Sequence, residues 1–140
     1  MMKTKIVILV SLFCLVLPIM AQEPQNNLGI SLEQLRVKFP ELKYWTETAE
    51  GTMYKYGNEI AFIVKDNRLV CETMYVEGDD SYPYNWFLAM VKSFLKTNYI
   101  HKIGDEKSII FFYSYFQVHI MYSSYDNSAL ISYDYLPKYK

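Results

Sequence analysis

The chain has 140 residues, of which 51% are hydrophobic and 17% aromatic, and its 14 basic and 15 acidic side chains give a formal net charge of −1. That near balance, with no cluster of Lys and Arg, excludes the phosphate-neutralising surface of a nucleic-acid binder. The length suits one domain with its own core, and two cysteines are too few for the disulfide framework of a small secreted scaffold.

In chain order, Lys3 and Lys5 precede an apolar run from Ile6 to Leu17, followed by Pro18 and Ala21. Charge, apolar core and small residue in that order predict a secretory signal peptide over residues 1–21, cleaved after Ala21. The run is shorter than the ~20 residues of a spanning helix, so no stable membrane insertion is expected after cleavage. Bulky Phe13 ahead of Cys14 argues against lipidation there, and the expected location is extracytoplasmic, periplasmic or secreted. Processing removes both lysines and no acid, which makes the mature chain more acidic. It leaves Cys71 as the only cysteine, within the apolar run 69–75, where a buried small hydrophobe is the plain expectation.

Residues 22–27 are polar and aperiodic and read as a flexible leader to a single α+β domain over 28–140. Ser31 with Gln34 matches a capping box, and Ile30 with Leu35 a hydrophobic staple, so a short helix is predicted from Leu32 to Lys38, stopped by Pro40. Leu32, Leu35 and Phe39 recur at helical spacing on its buried face. Tyr44 and Trp45 are expected to pack the connection 41–51 onto the core. Period-two strands follow at 53–56, 60–65 and 69–76, joined by Gly57-Asn58 and Asp66-Asn67 turns. The third strand has two largely apolar faces, Val70, Glu72, Met74 and Val76 on one, Leu69, Cys71, Thr73 and Tyr75 on the other, which predicts a central position.

The acidic loop 77–81 can cap a second helix that carries Pro83 in its first turn and a core stripe of Phe87, Met90, Val91, Phe94 and Leu95. It ends near Asn98. A polar connection over 101–107 leads to strands at 108–113, 117–123 and 129–135, with a turn at 125–128. The expected fold is α+β and two-layer: helix, three strands, helix, three strands, an antiparallel sheet with the helices on one face. That element order resembles periplasmic helix-plus-meander modules such as the β-lactamase inhibitor protein fold, and also the secretion-chaperone type. A signal ending in Ala21-Gln22 before a tyrosine-rich body is similar to small secreted domains of unknown function from Bacteroides-type bacteria. That resemblance implies export and carries no site residue onto this chain.

Chemical motifs are sparse. His101 and His119 have no ligand or catalytic partner nearby in sequence, and Glu77, Asp79 and Asp80 lack the spaced series of a calcium loop. There is no phosphate loop and no nucleophile elbow, so no cofactor or metal is expected. What remains is aromatic: half of the fourteen tyrosines lie in the last 28 residues. Ring packing in a sheet accounts for many of them. The sharper expectation is that Tyr113, Tyr115, Tyr133 and Tyr135 project from the uncovered sheet face, with Gln117 beside them, as a recognition surface for a protein. A glycan is the alternative partner, with Gln117, Asn127 and Asp134 binding its hydroxyls, and homodimerisation through a strand edge is a third outcome. A small hydrolase dependent on His119 is the remaining alternative.

Overall fold

The computed structural model describes residues 23–136; the expected export signal, Cys14 and the last four residues lie outside that range. Its elements are α1 (Leu32–Lys38), β1 (Lys43–Thr48), β2 (Gly51–Tyr56), β3 (Ile60–Lys65), β4 (Arg68–Glu77), α2 (Tyr82–Phe94), β5 (His101–Gly104), β6 (Ser108–Phe112), β7 (Phe116–Ser123) and β8 (Ser128–Tyr135). The eight strands form one antiparallel sheet in the order β1-β2-β3-β4-β8-β7-β6-β5. The protein is thus α+β, mostly sheet, with two helices, and it consists of two units of one helix and a four-strand meander joined where β4 pairs with β8.

The expected three-strand units are therefore corrected to four. The two additional strands, β1 and β5, are the edges of the sheet. An edge strand has one flank in water and need not alternate, so the sequence signal fails there. In β1 the register also shifts between Tyr44 and Thr46, and Tyr44 and Trp45, expected on the core, are 59% and 51% exposed. Gly104 at the end of β5 has φ 129°, and a Cβ there would overlap the Ser108 carbonyl, so the tight β5–β6 connection requires glycine.

The helix starts follow local chemistry. Ser31 accepts the Gln34 N–H at 3.1 Å while the Gln34 side chain accepts the Ser31 N–H at 2.9 Å, so the capping box forms in full. At α2 the Ser81 side chain makes no cap bond; Asp80 Oδ1 accepts the Tyr82 N–H instead. Asp66, Asn67 and Asn127 take the left-handed conformation at the last hairpin of each unit. In both units that turn asparagine reaches the start of its own helix. Asn67 Oδ1 accepts the Leu32 N–H, and Asn127 Nδ2 donates to the carbonyls of Gly78 and Asp80.

Register places Tyr54, Phe62, Glu72, Tyr133, Val118 and Phe111 in one row across the sheet, on one face. Leu35 of α1 packs with Tyr54, Phe62, Val64 and Leu69, whereas Phe87 and Phe94 of α2 pack with Phe111, Phe116, Val118, Ile120 and Ile131. The register of β3 and β4 shifts so that Val64 pairs with Leu69 and Ile63 with Cys71, leaving Val70 as the extra residue of a bulge. Strict alternation across 69–76 is corrected accordingly: Leu69 joins the first core. Leu95, expected in the α2 stripe, is exposed because the helix ends at Phe94.

Candidate functional site: a cleft between the two helices

The two helices cover different halves of their sheet face and leave a gap over its middle. A cleft of about 820 Å³ lies there. Its floor includes Ile60, Phe62, Glu72, Met74, Ile131 and Tyr133 of β3, β4 and β8, its sides carry Lys38 at the end of α1, Phe39 after it, and Trp86 and Met90 of α2, and residues 23–27 close it. Met74 is 41% exposed although it sits on a central strand, which is what an uncovered strip predicts. Large, mostly apolar concavities with a few placed polar groups are the usual form of a binding site.

Glu72 is the polar group of this floor. Its two carboxylate oxygens accept from the Asn27 backbone N–H and from Asn27 Nδ2, each at 3.1 Å. Burial raises its pKa above the ordinary carboxylate value, and the Asn27 bonds and the nearby Lys38 ammonium partly offset that rise. Lys38 Nζ donates to Asn27 Oδ1 at 2.7 Å. On the neighbouring strand, burial first and the Glu72 charge second push the Tyr133 phenol up to about 12.

The tyrosines expected on the uncovered face are not gathered there, and that expectation is corrected. Tyr113 is 2% exposed, stacked on Phe116 at 4.6 Å and hydrogen-bonded to Thr97, because it follows β6 directly, bonded through its N–H to the Phe116 carbonyl, and packs into the α2 core. Tyr133 lies on the helix side against Phe94, and Tyr135, paired with core residue Phe116, is half-buried on that side with the Arg68 guanidinium over its ring. Tyr115 is 40% exposed. Of the four, Tyr115 and Tyr133 line the cleft. Gln117 shares a pair with Asp134, one position out of step with Val118, and so belongs to the opposite face.

That opposite face carries a polar row. Ser108 Oγ and His119 Nε2 are 2.7 Å apart, and burial lowers the His119 pKa while the charge of Asp134 opposes the shift. Cys71, buried as expected, contacts Thr73 and Ser132 through its sulfur at 3.6 and 3.4 Å. A hydroxyl, an imidazole and a carboxylate on one face are the parts of a nucleophilic set, yet the cleft does not reach them and the Ser108 N–H is bonded to Asp105. Among the described residues no three His, Cys, Asp or Glu side chains converge to hold a metal ion. His101 stacks on Phe112 at the exposed β5 edge. Asp80 serves the α2 start, as the loop composition predicted for its acids.

Sequence reasoning missed Glu72, Trp86, Met90 and the leader as parts of a site. The available signal was Glu72 itself, a charge on the same face as Val70, Met74 and Val76 of a central strand, where an unpaired acid is costly. No family model matches the chain, and no curated protein and no solved structure matches it either.

Proposed function

We propose that this protein is an exported binding module that recognises a partner protein through the cleft between α1 and α2. The observation that carries the reading is the cleft, about 820 Å³ over the centre of the sheet, with a mostly apolar lining and one carboxylate acceptor on its floor. In this reading the domain works as two layers, helices over one sheet face, and recognition takes place where the helix layer is open. Tyr115 and Tyr133 are the members of the expected tyrosine surface that take part. Aromatic rings with polar tips suit such a site because they bury a large area and still orient the ligand. Export rests on the order of charge, apolar run and small residue over 1–21, and mass spectrometry of the mature protein should find its N-terminus at Gln22. Among the described residues no helix is long and apolar enough to cross a membrane.

A photo-crosslinking residue at Tyr115 in the producing cell tests the site. Polypeptide adducts at Tyr115 that are absent at Met121, on the opposite face, are the expected result. Adducts at Met121 alone, or glycan adducts at Tyr115, overturn it. Glycan binding is favoured by a separate observation, a smaller hollow of about 460 Å³ beside the exposed Tyr44 and Trp45, with Glu41 and Asn58 at hand. Titration with an oligosaccharide panel against wild type and Trp45→Ala separates the two readings.

A further inference from the structure

We propose that residues 23–27, which close one side of this cleft, are a removable strap, displaced by an extended polypeptide segment of the partner that gives Glu72 the same pair of hydrogen bonds. The inference rests on the cleft being the recognition site. The strap lies across the junction of the two units. At one end Ser114 Oγ, between β6 and β7, donates to Glu23 Oε1 at 2.9 Å; at the other, Asn27 holds Glu72 with two donors and accepts from Lys38. Between these pins, among the described residues, Asn26 bonds its neighbours, donating to the Pro24 carbonyl and accepting from the Leu28 N–H. The first apolar anchor is Leu28, which packs against both cores.

Two features make the strap a displaceable wall of the cleft and not a fixed one. Its five residues, Glu-Pro-Gln-Asn-Asn, bring little apolar surface to a floor that includes Ile60, Phe62, Met74 and Ile131. Its hold is thus polar, and each such bond contributes modestly while water can replace it. A partner segment that offers a backbone N–H and a side-chain amide to Glu72, and apolar side chains to the floor, satisfies the same carboxylate and buries what the strap leaves open. An Asn-containing extended strand has that chemistry. The pairing of Asn27 with Glu72 shows the geometry: two donors from one residue, one to each carboxylate oxygen. Because the strap is tethered, its effective concentration is about millimolar, so a segment binding in trans is held off until the strap is loosened.

The test uses the full mature chain and a labelled synthetic peptide with the sequence of residues 23–30. Wild type should protect the Asn27 amide from hydrogen exchange and bind the peptide weakly. Asn27→Ala should release the strap amides and tighten peptide binding by about tenfold, the equivalent of one to two hydrogen bonds. Glu72→Gln should also release the strap amides but bring no gain in peptide affinity, because the acceptor for the incoming donor pair is impaired. This opposed pattern is one that general loosening of the fold does not produce. An Asn27 amide that exchanges in wild type as in an unstructured peptide overturns the inference. So does peptide affinity equal in wild type and Asn27→Ala, and in that case the cleft stands as the recognition site. Protection of Asn27 with no peptide binding in any of the three proteins overturns the cleft reading and the inference together.

Discussion

The two units share a plan and differ in what completes them. Each runs from a helix into a four-strand meander, and each closes its last hairpin with an Asp-Asn turn whose asparagine reaches the helix start. The second unit fills its own core with Phe87, Phe94, Phe111, Phe116 and Tyr113 around a 13-residue helix. The first has a 7-residue helix and borrows from upstream: Ile30 packs on its core alone, while Leu28 serves both cores, and Gly29 and Ile30 exchange backbone hydrogen bonds with Leu69. A short helix cannot roof four strands, so the strip beside it stays open. The cleft is the consequence of that inequality.

The sharpest way to break the comparison is to empty one core and watch the other. Phe87→Ala should cost about 3–5 kcal/mol, and Leu35→Ala, a smaller side chain at an equally buried position, somewhat less. Trp45 reports on β1 of the first unit and Trp86 on α2 of the second. Because seven residue pairs join β4 to β8, the fluorescence of Trp45 and of Trp86, isolated in Trp86→Phe and Trp45→Phe backgrounds, should follow one denaturation transition in each variant. Separate midpoints would show two independent units and not one sheet.

The turn asparagines grade the same comparison more finely. Asn127 accepts from the Tyr122 hydroxyl and donates to two carbonyls, whereas Asn67 makes one bond to the helix start. At about 0.5–1.5 kcal/mol for each bond, Asn127→Ala should lose about 2–3 kcal/mol and Asn67→Ala about 1 kcal/mol in urea denaturation. Glycine at either position removes the bonds while keeping the left-handed backbone, so the excess cost of alanine over glycine should be alike at the two turns. Equal losses for the two alanine variants would mean that the second turn gains nothing from its extra partners.

Sequence patterns reveal an element when its local chemistry and its burial agree, and this chain shows where they part. The Ser31–Gln34 box, the Phe87–Phe94 stripe and the six inner strands were legible because capping or alternation marks them. The edge strands β1 and β5 were not, since one flank of each faces water and Trp45 sits at a register shift. The tyrosines misled for a related reason: a ring suits core and surface equally, and only the pairing of Tyr113 with the Phe116 segment and of Tyr133 with Val118 decides which side each takes. The cleft could not be seen at all from spacing. It depends on two helices failing to meet over Met74 and on a leader, polar in sequence and expected to be flexible, that folds back 45 residues to reach Glu72.

The helix caps give a smaller contrast. Ser31→Ala breaks a reciprocal box and should cost about 1 kcal/mol, while Ser81→Ala, with no cap bond to lose, should fall within a few tenths, as thermal denaturation can read. If Ser81→Ala proved the costlier of the two, Asp80 would not be holding the α2 start.

The smallest effect separates the two sheet faces by the sign of their pH response. Burial lowers the His119 pKa below 6.5, so the folded protein resists a proton that the unfolded chain accepts. Its contribution is fully present above pH 6.5 and is lost as pH falls through the lowered folded value. Glu72 behaves oppositely, because burial raises its pKa above 4.5 and the fold favours the protonated form. Its contribution is fully present below pH 4.5 and is lost as pH rises through the raised folded value. In melting temperatures taken from pH 7 down to 4, His119→Gln should therefore flatten the upper part of the acid loss, and Glu72→Gln should deepen the lower part by removing a compensating gain. The two substitutions must tilt the profile in opposite directions. If both tilt it the same way, Glu72 is not the desolvated carboxylate on the cleft floor, and the asymmetry between the faces has another origin in the charges around Asp134 and Lys38.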